Sequence, residues 1–228
     1  GTDVELPTLA EYKKTIQSQT SAAVIVCDPK TINIANDKWQ TIEFLKSAQL
    51  PYPRTWQSQD IDHVTLPAVV KPRIGAGSVD VVVVKTMDEL KRAVNAMPDP
   101  IIQEHLSTDD QEYTCGGFFY EGECYGVICA QRWLRKGDTY KAYFYHDAEL
   151  EAFIKKVGKK LNIAGPCNFQ LRKTKDGSKI FEINCRFSGT TGAASWLGFN
   201  IANALMQKII FSRPLRPLDF KESLMLRY

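Results

Sequence analysis

The sequence predicts an α+β protein built on antiparallel sheets. Three observations carry that expectation: apolar runs of strand length occur in pairs, the pairs are joined by short turns bearing glycine, and single amphipathic helices separate them. A doubly wound parallel sheet would instead alternate one strand with one helix throughout.

LPAVVKPR (66–73) reads as a strand, IGAGS (74–78) as a loop of small residues, and VDVVVVK (79–85) as the returning strand. TMDELKRAVNAM (86–97) follows, with Thr86 as N-cap and Glu89 three residues on, the pattern of a capping box. PIIQEHL (100–106) is a short strand, and 111–133 holds two apolar-rich strands around Glu121-Gly122. In DAELEAFIKKVGKKLN (147–162), Leu150, Phe153, Ile154, Val157 and Leu161 share one helical face. Residues 165–189 form a last hairpin through Lys175-Asp176-Gly177, and 193–210 reads as one closing helix. Upstream, TLAEYKKTIQ (8–17) predicts a helix and AAVIV (22–26) a strand. NDKWQTIEFLKSA (36–48) predicts a helix capped by Asn36 or Asp37 and stopped by prolines 51 and 53.

At 228 residues the chain is long enough for one large domain or two small ones. A boundary near 102–107 is expected to separate a first lobe, 31–102, from a second, 103–228, with residues 1–30 as the tail of a preceding α/β domain. The net charge of +3 is scattered, whereas a nucleic-acid footprint needs a clustered basic face. No apolar run reaches the roughly 18 residues of a membrane span, so no membrane partner is expected. The six cysteines include no C-x-x-C pair and lie mostly within apolar runs, which favours reduced thiols and a cytoplasmic protein. His63 and His146 stand apart from other metal-binding residue types and read as surface residues.

In FEINCRFSG (181–189), strand alternation puts Glu182, Asn184 and Arg186 on one face, with Phe181, Ile183 and Cys185 behind. CNFQLR, on the partner strand, alternates Asn168, Gln170 and Arg172 in the same way. A carboxylate flanked by amide oxygens suits a hard divalent cation, and an arginine alongside suits a phosphate. A solvated sheet face fits this stretch equally. VVKPRIGAGS pairs a strand-end lysine with a glycine loop, an arrangement for phosphate oxygens or an ordinary hairpin tip; it matches neither the P-loop nor the dinucleotide fingerprint. Arg132 and Lys141 are candidates for binding a carboxylate, or else exposed charges of a β-ribbon.

The order of DPKTINIANDKWQTIEFLKSAQLPYPRT, LPAVVKPRIGAGS, IIQEHL, NFQLR and FEINCRFSG resembles the ATP-grasp superfamily over about residues 20–210, and within it proteins similar to the large subunit of carbamoyl-phosphate synthase. The resemblance implies an ATP-grasp fold in which two α+β lobes hold ATP between antiparallel sheets. It implies that Lys38 and Lys71 reach the phosphates and that Gly75, Ala76, Gly77 and Ser78 close over them. By the same resemblance Gln103, Glu104, His105 and Leu106 meet adenine, and Glu112 meets the ribose. Gln170, Glu182 and Asn184 would hold Mg²⁺ or Mn²⁺, while Arg186, with Lys71, would stabilise the transferred phosphoryl group. Cys185 departs from the family pattern, in which a proline is common between the Asn and the Arg. The implied activity is ligation of a small-molecule carboxylate to an amine through an acyl phosphate. A non-catalytic nucleotide-binding module and a phosphotransferase without ligation are the alternatives. An N-terminal domain or subunit that completes the acceptor site and a homo-oligomeric assembly are the further partners implied.

Overall fold

A computed structural model describes residues 3–75, 77, 79–106 and 112–227. Three helices open the chain: α1 (Leu6–Gln19), α2 (Pro29–Asn36) and α3 (Lys38–Ser47). The expected helix 36–48 is α3, capped by Asp37, whose carboxylate accepts from the Trp39 and Gln40 amides, while PKTINIAN forms the separate helix α2, capped by the Asp28 carboxylate. AAVIV forms no strand. Residues 22–27 run extended into the core, where the Lys13 ammonium donates to the Val26 carbonyl at 3.0 Å and the Ala164 amide donates to Cys27 Sγ at 3.2 Å. Those groups stand in for a ladder.

Strands β1 (Thr55–Gln57), β2 (Ala68–Pro72), β3 (Val82–Val84) and β4 (Pro100–Glu104) make a four-stranded antiparallel sheet in the order β1-β4-β2-β3. Helix α4 (Met87–Ala96), with the predicted capping box of Thr86 and Glu89, covers one face. Ala68, Val70, Val84, Leu90 and Ile102 form the core between them. Period-two alternation turns Val69, Lys71, Val83 and Gln103 to the opposite face.

The larger sheet has six antiparallel strands in the order β10-β7-β6-β5-β8-β9. They are β5 (Glu112–Tyr120), β6 (Glu123–Arg135), β7 (Asp138–Phe144), β8 (Gly165–Thr174), β9 (Gly177–Asn184) and β10 (Ser223–Leu226). Its rear face packs on α5 (Ala148–Lys160) and on α1 to α3, through residues that include Cys115, Phe119, Phe169, Ile183, Leu45 and Ile154. The first three helices therefore share the core of the larger sheet and not that of the smaller one. On its front face, towards the β7 end, Phe118, Ala130 and Phe144 pack against α6 (Thr191–Trp196) and α7 (Ile201–Ile209). The single helix expected over 193–210 is broken because Gly198 adopts φ +115°, and a Cβ there would lie 3.1 Å from the Asp219 carbonyl oxygen. Asn200 then caps the new helix by accepting from the Asn203 amide. All six cysteines are free thiols. Among the described residues no helix is long and apolar enough to cross a membrane.

Rear-face packing is tightest where α5 meets β5. A Cβ on Gly158 would stand 2.1 Å from the ring of Phe119, which is itself 1% exposed. Gly158→Ala is expected to destabilise the fold by about 1–3 kcal/mol in urea unfolding, the usual cost of overpacking. Combining it with Phe119→Leu should recover part of that loss, as a double-mutant cycle would show; strictly additive losses would mean that the two residues do not clash.

Candidate functional site

Two sheet faces oppose each other across a cleft of about 240 Å³. The small sheet contributes Val69, Lys71, Val83 and Gln103, and the large sheet contributes Glu112, Arg132, Gln170, Arg172 and Glu182. Lys38, Gly75, Glu104, His105 and Leu106 line the same cleft, so most of the sequence-predicted binding residues come together. Ala76 and Ser78 lie outside the described residues. Gly77 lines an adjoining cavity of about 150 Å³, together with Asn168, Arg186, Ser188 and Thr190. The two cavities meet at Arg132, Gln170 and Glu182.

Lys71 is only 6% exposed, and its Nζ donates to Gln103 Oε1 at 2.9 Å and to the Phe181 carbonyl at 3.5 Å. Gln103 is fixed in turn, since its Nε2 donates to Thr55 Oγ1 at 3.0 Å. Burial lowers the Lys71 pKa to about 8; the Glu182 charge works against that shift, and Lys38 adds to it. Lys38 begins α3 and donates to the Gly75 carbonyl at 2.7 Å. Burial lowers its pKa as well, against the attraction of Glu182, Asp3 and Asp37. Asp37 anchors this corner: its carboxylate takes Arg73 Nη2 at 2.7 Å, and the Lys38 amide donates to the Arg73 carbonyl. For Asp37, burial acts to raise the pKa, and hydrogen bonds from Arg73 and Gln40 outweigh it, leaving the carboxyl below its usual range. The base of the glycine loop is thereby tied to the start of α3.

One expected strand face is rearranged. The β8–β9 register shifts between Gln170 and Leu171, which face Glu182 and Ile180 respectively, so Phe181 is the extra residue of a β-bulge. Ile183 and Cys185 pack behind as the alternation requires, and the bulge sends Ile180 behind in place of Phe181. Phe181 turns into the cleft, where its ring lies 5.3 Å from the Lys71 ammonium, a cation–π distance. No local signal in FEINCRFSG marks this bulge.

Two carboxylates of the cleft, Glu112 and Glu104, are held by cations. Glu112 accepts from Arg132 Nη2 at 2.8 Å and from Arg172 Nη2 at 2.5 Å, and Glu104 accepts from Lys179 Nζ at 2.6 Å. Arg186 lines the adjoining cavity and not the main cleft, and its guanidinium pairs with Asp3. Lys141 lines neither cavity; its ammonium sits 4.2 Å over the Trp133 ring. His146 pairs with Glu151 and stacks on Phe220, away from the cleft.

Among the described residues no group of three His, Cys, Asp or Glu side chains is arranged around a metal. A magnesium ion that shares its coordination with phosphates needs only one or two carboxylates. Glu182, which lines both cavities, fits that demand; Asn184 adjoins it on β9 and donates from Nδ2 to Glu182 Oε1 at 3.0 Å, but it is buried and lines neither cavity. Gln170 fits it less well, because its Oε1 already accepts from Arg132 Nη2 at 2.9 Å.

The buried Lys71 has a consequence for stability. Between pH 8 and the usual lysine value of 10.5 the unfolded chain holds a proton that the folded chain has released, so stability rises with pH across this window. The gain reaches on the order of 3 kcal/mol. Lys71→Met should lack that rise, so the unfolding free energy of wild type minus that of the variant should climb across pH 7 to 10.5; a difference that stays flat would place a charged, solvated Lys71 in the folded chain.

A search of the curated proteins finds no match. Solved structures do match in fold. An L-amino acid ligase from Bacillus licheniformis superposes with a TM-score of 0.75 at 19% identity, covering 94% of this chain and 55% of that one. For the N5-carboxyaminoimidazole synthetase of Staphylococcus aureus complexed with ADP the values are 0.76 and 16%, over 100% and 63%. For the biotin carboxylase β-γ-ATP complex of Campylobacter jejuni they are 0.76 and 14%, over 96% and 57%. At these identities the likeness is one of fold, and the chain spans 55% to 63% of the length of these three structures. The family model of the ATP-grasp domain matches residues 35–190, well over half of the sequence, and the chain belongs to the ATP-grasp family.

Proposed function

We propose that this chain binds ATP with magnesium in the cleft between the two sheets and supplies the phosphorylating half of a carboxylate–amine ligase. The observation that carries the reading is Lys71: a desolvated ammonium facing Glu182 across a narrow cleft, with valines on its own sheet and an arginine-held carboxylate opposite. The structural neighbours support it, since one is a complex with ADP, one a β-γ-ATP complex and one an L-amino acid ligase.

In this reading Val69, Val83, Leu106 and Phe181 enclose the purine. The Glu104 and His105 amides already donate to the Arg54 and Pro67 carbonyls, so the Leu106 amide supplies the N–H for the adenine edge. Glu112, fixed by two arginines, accepts the ribose hydroxyls. Lys38 and Lys71 bind the phosphates. Their lowered pKa values favour this, because a phosphate oxygen restores the charge partner that burial removed. Magnesium, held by Glu182, neutralises phosphate charge when bound. A substrate carboxylate oxygen forms a bond to the γ-phosphorus, and the bond to the bridging oxygen breaks with its electron pair leaving on ADP. An amine nitrogen then attacks the acyl carbon, phosphate departs and the amine proton passes to solvent. Arg186, in the adjoining cavity, offsets charge on the transferred phosphoryl group. The free thiols and the ATP demand suit a cytoplasmic protein.

The test is a coupled assay of ADP release on the full-length protein with panels of carboxylates and amines, read with mass detection of an amide product. Carboxylate-dependent ADP release with amide formation is expected, and ATP binding without acceptor-dependent turnover would overturn the ligase reading. Glu182→Ala should lower metal-dependent turnover by at least a hundredfold while the thermal midpoint stays within a few degrees. Unchanged turnover would remove Glu182 from the metal site.

A further inference from the structure

Asp3 is the least expected group near the site. It lies 183 residues before Arg186, ahead of α1, yet its Oδ1 accepts from Arg186 Nε at 2.8 Å and its Oδ2 from Nη2 at 2.7 Å. Both side chains are largely enclosed, at 24% and 22% exposure. The remaining bond of the guanidinium is local: Nη1 donates to the Phe187 carbonyl at 2.9 Å. An arginine carries five N–H groups. Among the described residues three are used, and one on Nη1 and one on Nη2 are left for the cavity that Arg186 shares with Glu182, Ser188 and Thr190. Asp3 holds one edge of the guanidinium, and the Phe187 carbonyl stops it from turning.

We propose that Asp3 is a positioning residue: its bidentate grip fixes Arg186 so that the free N–H groups meet the terminal phosphoryl group of the nucleotide. This inference rests on the ATP reading above. A flexible arginine loses side-chain entropy on each binding event, and a guanidinium already clamped loses little. Asp3 also lies close enough for its charge to be felt at Lys38, so the opening segment of the chain contributes to the electrostatics of the phosphate end from outside both sheets. The opposite possibility is that the carboxylate competes with the phosphoryl group for Arg186. Removing Asp3 would then strengthen binding of the triphosphate.

The test uses calorimetric titration of the full-length protein with Mg²⁺ and two probes, ADP and the non-hydrolysable triphosphate AMPPNP. The ratio of the two affinities isolates contacts to the terminal phosphoryl group. Wild type should prefer AMPPNP, and Arg186→Ala should lose that preference. Asp3→Ala should reduce the preference three- to tenfold, apart from any shift common to both nucleotides through Lys38, and Asp3→Glu, which keeps the carboxylate, should retain most of it. Thermal midpoints measured alongside identify a variant that has simply unfolded. If Arg186→Ala loses the preference while Asp3→Ala matches wild type, the positioning role is wrong and the ATP reading stands. Tighter AMPPNP binding by Asp3→Ala would overturn positioning in favour of competition. If wild type binds neither nucleotide, the ATP reading itself fails, and the inference with it.

Discussion

The Lys71 ammonium is the group around which the two halves of the molecule are organised. It stands on β2 of the small sheet, takes one acceptor from its own sheet, Gln103, and another from the opposite sheet, the Phe181 carbonyl. A buried cation with two neutral acceptors and, among the described residues, no carboxylate in direct contact is poorly compensated, and its lowered pKa expresses that deficit. An anionic ligand entering the cleft relieves it. In the ATP reading proposed above, this desolvation favours binding of phosphate, and the valines beside Lys71 on its sheet limit its hydration.

Glu182 offsets part of this deficit from across the cleft, whereas three nearby carboxylates are engaged by other cations. Glu112 is held by Arg132 and Arg172, Glu104 by Lys179, and Asp37 by Arg73. Such pairs contribute little net stability once desolvation is counted, but they fix orientation. They also lie in antiparallel sheets whose rear faces are tightly packed, as the Gly158–Phe119 approach illustrates. A rigid rear core behind a front face of oriented charges is the arrangement that a charge-stabilising site requires.

Much of this was legible in the sequence, for physical reasons that differ from element to element. The hairpins at 66–85, 111–133 and 165–189 were readable because turn residues punctuate apolar runs, and α4 because its capping box is a local device. Period-two alternation gave each strand of the last hairpin its polar row, and the observed register sets Gln170 opposite Glu182 and Asn168 opposite Asn184. What local patterns missed depended on distant parts of the chain. AAVIV has strand composition, but the Val26 carbonyl accepts from the Lys13 ammonium and the adjoining Cys27 sulfur from the Ala164 amide, in place of a ladder. The helix over 193–210 breaks where Gly198 must pass close to Asp219. Phe181 joins the cleft through a bulge, and Asp3 joins Arg186 across 183 residues with no signature of its own.

The most direct test of the central claim is a crystal structure of the full-length protein with AMPPNP and Mg²⁺. The account predicts the purine between Val69, Val83 and Phe181, a phosphate oxygen within hydrogen-bond distance of Lys71 Nζ, and metal density between the phosphates and Glu182. Nucleotide bound outside the cleft, or phosphates turned away from a Lys71 that keeps only its Gln103 and Phe181 contacts, would contradict it.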